Sequence, residues 1–258
     1  MQTELITIIA PILKKAGDKI IEIYNSDKFK VVDYKADDSP LTLADLASNA
    51  EIVDGLMNHF DYPIISEELE NATYECRKDY KKYWCVDPLD GTKEFINRNG
   101  EFTVNIALII NNSPFFGGIY VPVKDVYYFG IQGQGAFKRE GEGELKKLTV
   151  NENTGDWIAV GSKSHAKPDE NEFYQKIGVK ESFSVGSSLK FCMVAEGSAD
   201  LYFRSGPTME WDIAAGHAIL RAAGGEVFKD LDCKDVFTYN KESLLNGSFL
   251  ATSTTKLK

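Results

Sequence analysis

From Leu5 the apolar residues Ile8, Ile9, Ile12, Ala16, Ile20 and Ile23 recur at helical spacing, which predicts an amphipathic helix over residues 3–25, kinked at Pro11. A charged turn over 35–40 follows, then a second helix built on the stripe Leu46, Ala50, Val53, Met57 and Phe60. Pro63-Ile64-Ile65-Ser66 is short and apolar, a buried strand that ends at Glu67-Glu68. Residues 82–86 form the next strand. Segments 102–110, 115–121, 126–131 and 136–139 then read as successive strands, with turns at Asn111-Asn112-Ser113-Pro114 and Val121-Pro122-Val123-Lys124-Asp125. The result is a mostly antiparallel sheet.

Between Arg139 and Lys147 the chain is charged, glycine-bearing and poor in apolar residues, which marks an exposed boundary. The chain divides there into 1–150, an α+β half, and 151–258, where strands alternate with helices: strands at 157–160, 182–185, 199–203, 226–228 and 248–250, helices at 168–177, 188–196 and 210–223. No internal repeat or low-complexity tract interrupts either half.

Composition is that of an ordinary globular protein of 258 residues. Its 29 Lys and Arg against 39 Asp and Glu give a net charge of −10, which opposes binding to polymeric nucleic acid. A small phosphorylated substrate is compatible, provided bound cations and a few basic side chains reverse the field locally. The N-terminus lacks the pattern of a signal peptide, and no apolar run approaches the roughly 20 residues of a membrane span. Cys76, Cys85, Cys192 and Cys233 are scattered, as expected of reduced cysteines in a cytoplasmic protein.

The chemistry concentrates in Trp84-Cys85-Val86-Asp87-Pro88-Leu89-Asp90-Gly91-Thr92-Lys93-Glu94-Phe95. Two carboxylates aimed at one place repel and stay ionised only around a cation, so Asp87 and Asp90 point to a divalent metal site, and hard oxygen ligands favour Mg²⁺ over zinc. Other segments are ordinary when taken singly. Thr42 and Asp45 fit a capping box, Glu67-Glu68 a solvated turn, Gly186-Ser187-Ser188 a helix N-cap, and Asp212 a first-turn acid that favours the helix dipole. Lys190 adds a phosphate-compatible charge beside Gly186. His217 reads as a core histidine, and Ser164-His165 has no nucleophile-elbow context.

Taken together and in order, Ser66-Glu67-Glu68, Asp87-Pro88-Leu89-Asp90-Gly91-Thr92 and Trp211-Asp212-Ile213-Ala214-Ala215-Gly216 resemble the inositol monophosphatase superfamily of Mg²⁺-dependent, lithium-sensitive phosphatases. Lys93-Glu94-Phe95, Asp37-Asp38-Ser39-Pro40-Leu41-Thr42 and Gly186-Ser187-Ser188-Leu189-Lys190-Phe191-Cys192 are similar to its 3′(2′),5′-bisphosphate nucleotidase branch; inositol monophosphatases usually carry Thr-Asn-Phe after the Gly-Thr. Leu41-Thr42-Leu43 departs from the more frequent Val-Thr-Ala but keeps Thr42 and Asp45.

The resemblance implies an α/β (α+β) layered αβαβα sandwich of the inositol monophosphatase and fructose-bisphosphatase kind. It implies hydrolysis of the 3′-phosphate of adenosine 3′,5′-bisphosphate, a by-product of sulfur metabolism, to AMP, with the phosphosulfate analogue left open as a second substrate. Two Mg²⁺, with a third allowed, would be held by Glu67, Asp87, the Leu89 carbonyl, Asp90 and Asp212. Asp45, Glu67 and Thr92 would orient and deprotonate the attacking water. Gly91 and Thr92 would contact the hydrolysed phosphate, and Gly186, Ser187 and Lys190 the ribose or the second phosphate. Arg204 either reaches that region or is a plain surface arginine. The alternatives are an inositol or sugar monophosphatase and a nucleotide-binding regulatory module. A homodimer and a peripheral seat at the inner membrane are left open.

Overall fold

The structure is a computed structural model that describes residues 2–34, 40–152, 155–164, 167–229 and 231–253. The charged turn over 35–39 and His165 lie outside the described residues. The first half runs α1 (Gln2–Tyr24), a 3-10 turn at Asp27–Lys30, β1 (Val32–Tyr34), β2 (Pro40–Thr42), α2 (Leu43–Met57), β3 (Ile64–Ser66), α3 (Tyr74–Arg77), β4 (Lys82–Asp90), α4 (Thr92–Ile96), β5 (Thr103–Ile110), β6 (Ser113–Val121), β7 (Val126–Ile131), β8 (Gly135–Glu140) and β9 (Lys146–Leu148). The second runs β10 (Ile158–Ser162), α5 (Pro168–Ile177), β11 (Glu181–Val185), α6 (Leu189–Ala195), β12 (Leu201–Arg204), β13 (Thr208–Met209), α7 (Glu210–Ala222), β14 (Gly225–Phe228), β15 (Leu245–Asn246) and β16 (Phe249–Ser253).

Strand alternation builds the layers. In β4, Trp84 and Val86 point to one face and join α1 and α2 in an aromatic-rich core, while Tyr83 and Cys85 point to the other and join α6 and α7. The seven-stranded sheet keeps sequence order from β3 to β9, parallel only between β3 and β4. The five-stranded sheet, ordered β11-β10-β12-β16-β14, covers the far side of α6 and α7, and α5 packs on its outer face through Tyr174, Leu201 and Leu250. The order is therefore helices, sheet, helices, sheet, helix, the expected αβαβα sandwich.

One core cluster takes Cys85 and Ile119 from the first half and Phe191, Ile219 and Phe249 from the second. The charged stretch before residue 150 includes β9, which pairs with β8 inside the first sheet. Helix α7 lies directly on the sheet backbone: a Cβ at Gly117 would fall 2.3 Å from the Ala215 carbonyl oxygen, and one at Gly130 2.4 Å from Ile219 Cα. That close seat fixes the start of α7, where Asp212 stands.

The second helix exists where the sequence places it, but its apolar stripe faces outward, with Leu46 47 % and Met57 67 % exposed. Its buried side is instead Ala44, Asp45, Ser48, Asn49, Ile52 and Leu56. Polar residues occupy that side because it faces the candidate site. Among the described residues, no helix is long and apolar enough to cross a membrane.

Candidate active site

The acids of β4 owe their shared direction to a bulge. Asp87 pairs with Asn105 and Asp90 with Thr103, so three steps on β4 meet two on β5. Residues three apart on a regular strand face opposite sides; the extra residue brings both carboxylates to one side. Ser48 of α2 donates to the Pro88 carbonyl at 2.7 Å, and the Leu89 N–H to Asp87 Oδ1 at 3.1 Å, which hold the bulge in place. Beyond β3, Ser66 Oγ donates to Asn49 at 2.8 Å and the Glu67 N–H to the Val86 carbonyl at 3.2 Å, so Glu67 emerges beside Asp87.

Asp45 is a helix cap that also reaches Thr92. Its Oδ2 accepts the Thr42 N–H at 2.8 Å and the Thr42 hydroxyl at 2.5 Å, completing the capping box, while Oδ1 faces the Thr92 hydroxyl at 3.3 Å. Thr92 Oγ1 also lies 3.4 Å from the Leu89 carbonyl. Asp212 likewise caps α7 by accepting the Met209 N–H at 2.7 Å, and is brought back to the β4 acids. Glu67, Asp87 and Asp212 each place an oxygen within 4.8 Å of the others. Asp90 stands outside that trio, bonded to Ser188 Oγ and, at 3.2 Å, to Asn105 Nδ2. Ser188 in turn accepts from Asn105 at 2.8 Å and lies 2.9 Å from the Asp212 carbonyl oxygen, tying both halves together.

Glu67, Asp87, Asp90 and Asp212 all line a cleft of about 760 Å³, within the usual range for a small-molecule site. Lys167, Lys190 and Arg204 line the same cleft, Lys190 with Asp90 and Glu94 as charged neighbours. Arg204 is only 7 % exposed, so it is a cleft residue rather than a surface one. The Lys190 ammonium is buried and donates to the carbonyls of Ser187 at 2.5 Å and Val185 at 3.1 Å. Gly186 does not stand open as an anion donor here, because its N–H is taken by Glu101 Oε2 at 2.9 Å; Ser187 does line the cleft. The sequence pattern assigns no role in the site to Asn105, Ser188, Glu94 or Lys167. Asn105, Ser188 and Glu94 take their partners from other elements, and only the lining of the cleft brings in Lys167.

Burial and the neighbouring Glu67, Asp90, Asp212 and Asp45 push the carboxyl of Asp87 well above the usual range. Burial does the same for Asp212, with Asp90 and Glu67 nearby, and raises Asp90 against the opposing pull of Lys190, Ser188 and Asn105. Asp45 is pushed up to about 6, chiefly by burial and against its Thr42 hydrogen bonds. Burial pulls Lys190 down to about 8, opposed by Asp90, Glu94 and Glu101. Packed carboxylates with an all-oxygen donor set fit a hard divalent cation, which would restore each to its ionised form. His217 is a core residue as expected: Nδ1 meets Tyr239 Oη at 2.9 Å and Nε2 meets Glu226 at 2.5 Å.

The model of the inositol monophosphatase family matches residues 1–258. The chain is 46% identical over 242 residues to the 3′(2′),5′-bisphosphate nucleotidase CysQ of Escherichia coli (strain K12), covering 93% of this chain and 96% of that one. The crystal structure of CysQ from Bacteroides thetaiotaomicron superposes with a TM-score of 0.85 at 42% identity, covering 97% of each chain. An inositol monophosphatase from Anabaena (Nostoc) sp. PCC 7120 superposes at 0.74 with 26% identity over 98% of this chain and 92% of that one. The conjunction of the layered fold, the acid-lined cleft and a match along the whole chain leads to one conclusion: this protein belongs to the inositol monophosphatase family, whose members are metal-dependent phosphatases.

Proposed function

We propose that this chain hydrolyses the 3′-phosphate of adenosine 3′,5′-bisphosphate to AMP and phosphate. One observation carries the reading: a single cleft is lined both by the acids Glu67, Asp87, Asp90 and Asp212 and by the bases Lys167, Lys190 and Arg204. A substrate with one phosphate at a metal held by the acids and a second phosphate beside the bases matches both sets; an inositol monophosphate brings no second anion to the bases. The similarity to CysQ nucleotidases supports the same choice.

Glu67, Asp87, the Leu89 carbonyl, Asp90 and Asp212 would hold two Mg²⁺. When bound, these ions supply Lewis-acid activation and neutralise charge on the phosphoryl oxygens. Asp45 holds the Thr92 hydroxyl hydrogen, which leaves the Thr92 oxygen to accept a hydrogen from the attacking water and orient it. Glu67 is half-buried beside this position and takes the proton. Gly91 and Thr92 open α4, so their N–H groups have no carbonyl one turn earlier and are directed to the phosphate oxygens. Ser187, Lys190, Arg204 and Lys167 receive the 5′-phosphate. No side chain need form a covalent phosphoenzyme. Chromatography of the products is expected to show 5′-AMP, with activity lost in EDTA and restored by Mg²⁺. Adenosine 3′-phosphate as the product would put the wrong phosphate at the acids and refute the assignment.

A further inference from the structure

Two carboxylates of the first half reach across to two loops of the second. Glu94, two residues beyond Thr92 and 4 % exposed, accepts the Ser164 hydroxyl at 2.5 Å. Glu101 accepts the Gly186 N–H through Oε2 at 2.9 Å and pairs with Lys163 through Oε1 at 3.0 Å. Gly186 is pressed against both: a Cβ there would lie 2.5 Å from Glu94 Cγ and 2.8 Å from the Glu101 carbonyl oxygen. The turn it begins is strained, with Ser187 at a φ of 49°. Such a conformation persists only where its surroundings over-determine it. Here Lys190 grips the turn from inside through two carbonyls, and Glu94 and Glu101 brace it from the opposite half.

We propose that Glu94 and Glu101 are positioning residues that fix the turn 185–188 so that Ser187 and Lys190 meet the second phosphate. This rests on the bisphosphate reading above. It also makes α4, which starts at Thr92, a mechanical link between the phosphate that is cut and the one that is held. Charge alone argues for the opposite effect. A carboxylate near an anion site repels the anion, so deleting either one would tighten binding if Coulomb repulsion were its only role. The sign of the effect therefore separates bracing from repulsion.

The test is steady-state kinetics on adenosine 3′,5′-bisphosphate and on adenosine 3′-phosphate, which lacks the second phosphate, in wild type, Glu101→Ala, Glu101→Gln and Glu94→Ala. Glu101→Ala is expected to raise KM for the bisphosphate about tenfold, with kcat and both constants for adenosine 3′-phosphate unchanged. Glu101→Gln keeps an oxygen opposite the Gly186 N–H and is expected to recover most of the loss. Glu94→Ala, which also loosens the contact with Gly91, is expected to raise KM for the bisphosphate by a larger factor than KM for adenosine 3′-phosphate. A KM for the bisphosphate that stays level or falls in Glu101→Ala, or equal losses on both substrates, overturns the proposal. A wild-type enzyme with no preference for the bisphosphate over adenosine 3′-phosphate refutes the second-phosphate subsite itself, which keeps the two failures apart.

Discussion

Asp87→Asn is expected to abolish turnover while raising the melting temperature of the metal-free protein at pH 8. Asp87 is 1 % exposed, and its carboxyl is pushed up by burial and by four neighbouring acids. A raised carboxyl contributes stability that is present below its unfolded pKa, about 4, and is lost as pH rises through the folded value. At pH 8, above the unfolded value, the buried carboxyl therefore costs the metal-free fold stability. A neutral isostere removes one charge and leaves an oxygen for the Leu89 N–H, which relieves about 1 kcal/mol or more, or roughly 2–4 °C. The gain should vanish near pH 4. Activity should fall at least about 1000-fold, because the residue central to the acid cluster no longer carries charge. For the same reason Mg²⁺ should raise the wild-type melting temperature more at pH 8 than at pH 5, and should do little for the variant. A lower metal-free melting temperature in Asp87→Asn at pH 8 would show that the carboxylate is not under the repulsion described.

Thr92→Val separates water orientation from metal holding. Valine has the shape of threonine without the hydroxyl, and the two hydroxyl hydrogen bonds that the change removes, at 3.3 and 3.4 Å, are long and contribute little to stability. The rate is expected to fall about 100-fold, the lower part of the range for positioned proton-transfer groups. Calorimetry should find Mg²⁺ affinity within about twofold of wild type, since the carboxylates are untouched. Equal losses of rate and affinity would make Thr92 a structural support of the metal site instead.

The acids were legible because each sits where a local pattern changes: Glu67 where a short apolar strand ends, Asp87 and Asp90 where β4 bulges before a Gly-Thr, and Asp212 in the first turn of an apolar helix. Such junctions are written in neighbouring residues. Asp45 and Asp212 also show that a helix cap can do more than cap, since Asp45 caps through one oxygen and meets the Thr92 hydroxyl with the other, and Asp212 caps α7 while lining the cleft. What the chain did not reveal depends on distant partners. Asn105 acquires its role from Asp90 and Ser188, and Glu101 from a glycine 85 positions away.

The second helix shows how a periodic pattern can mislead. Leu46, Ala50, Val53 and Met57 make a regular stripe, yet burial follows Asp45, Ser48, Asn49 and Ile52 because polar residues there bond to the bulge and to Ser66. Hydrophobic spacing identifies a helix, but hydrogen-bonding demand at the site chose its face. Arg204 illustrates the same point for charge, since only the packing of β12 beside the cleft distinguishes it from a surface arginine.

The reading of a cleft lined by both acids and bases is tested most directly by comparing kcat/KM for adenosine 3′,5′-bisphosphate with that for inositol 1-phosphate, in the same Mg²⁺ buffer with the wild-type protein. A preference of at least about 100-fold for the bisphosphate is expected, because its second phosphate adds charge-assisted contacts with the basic side chains that inositol 1-phosphate cannot make. Equal values, or a preference for inositol 1-phosphate, would contradict the assignment.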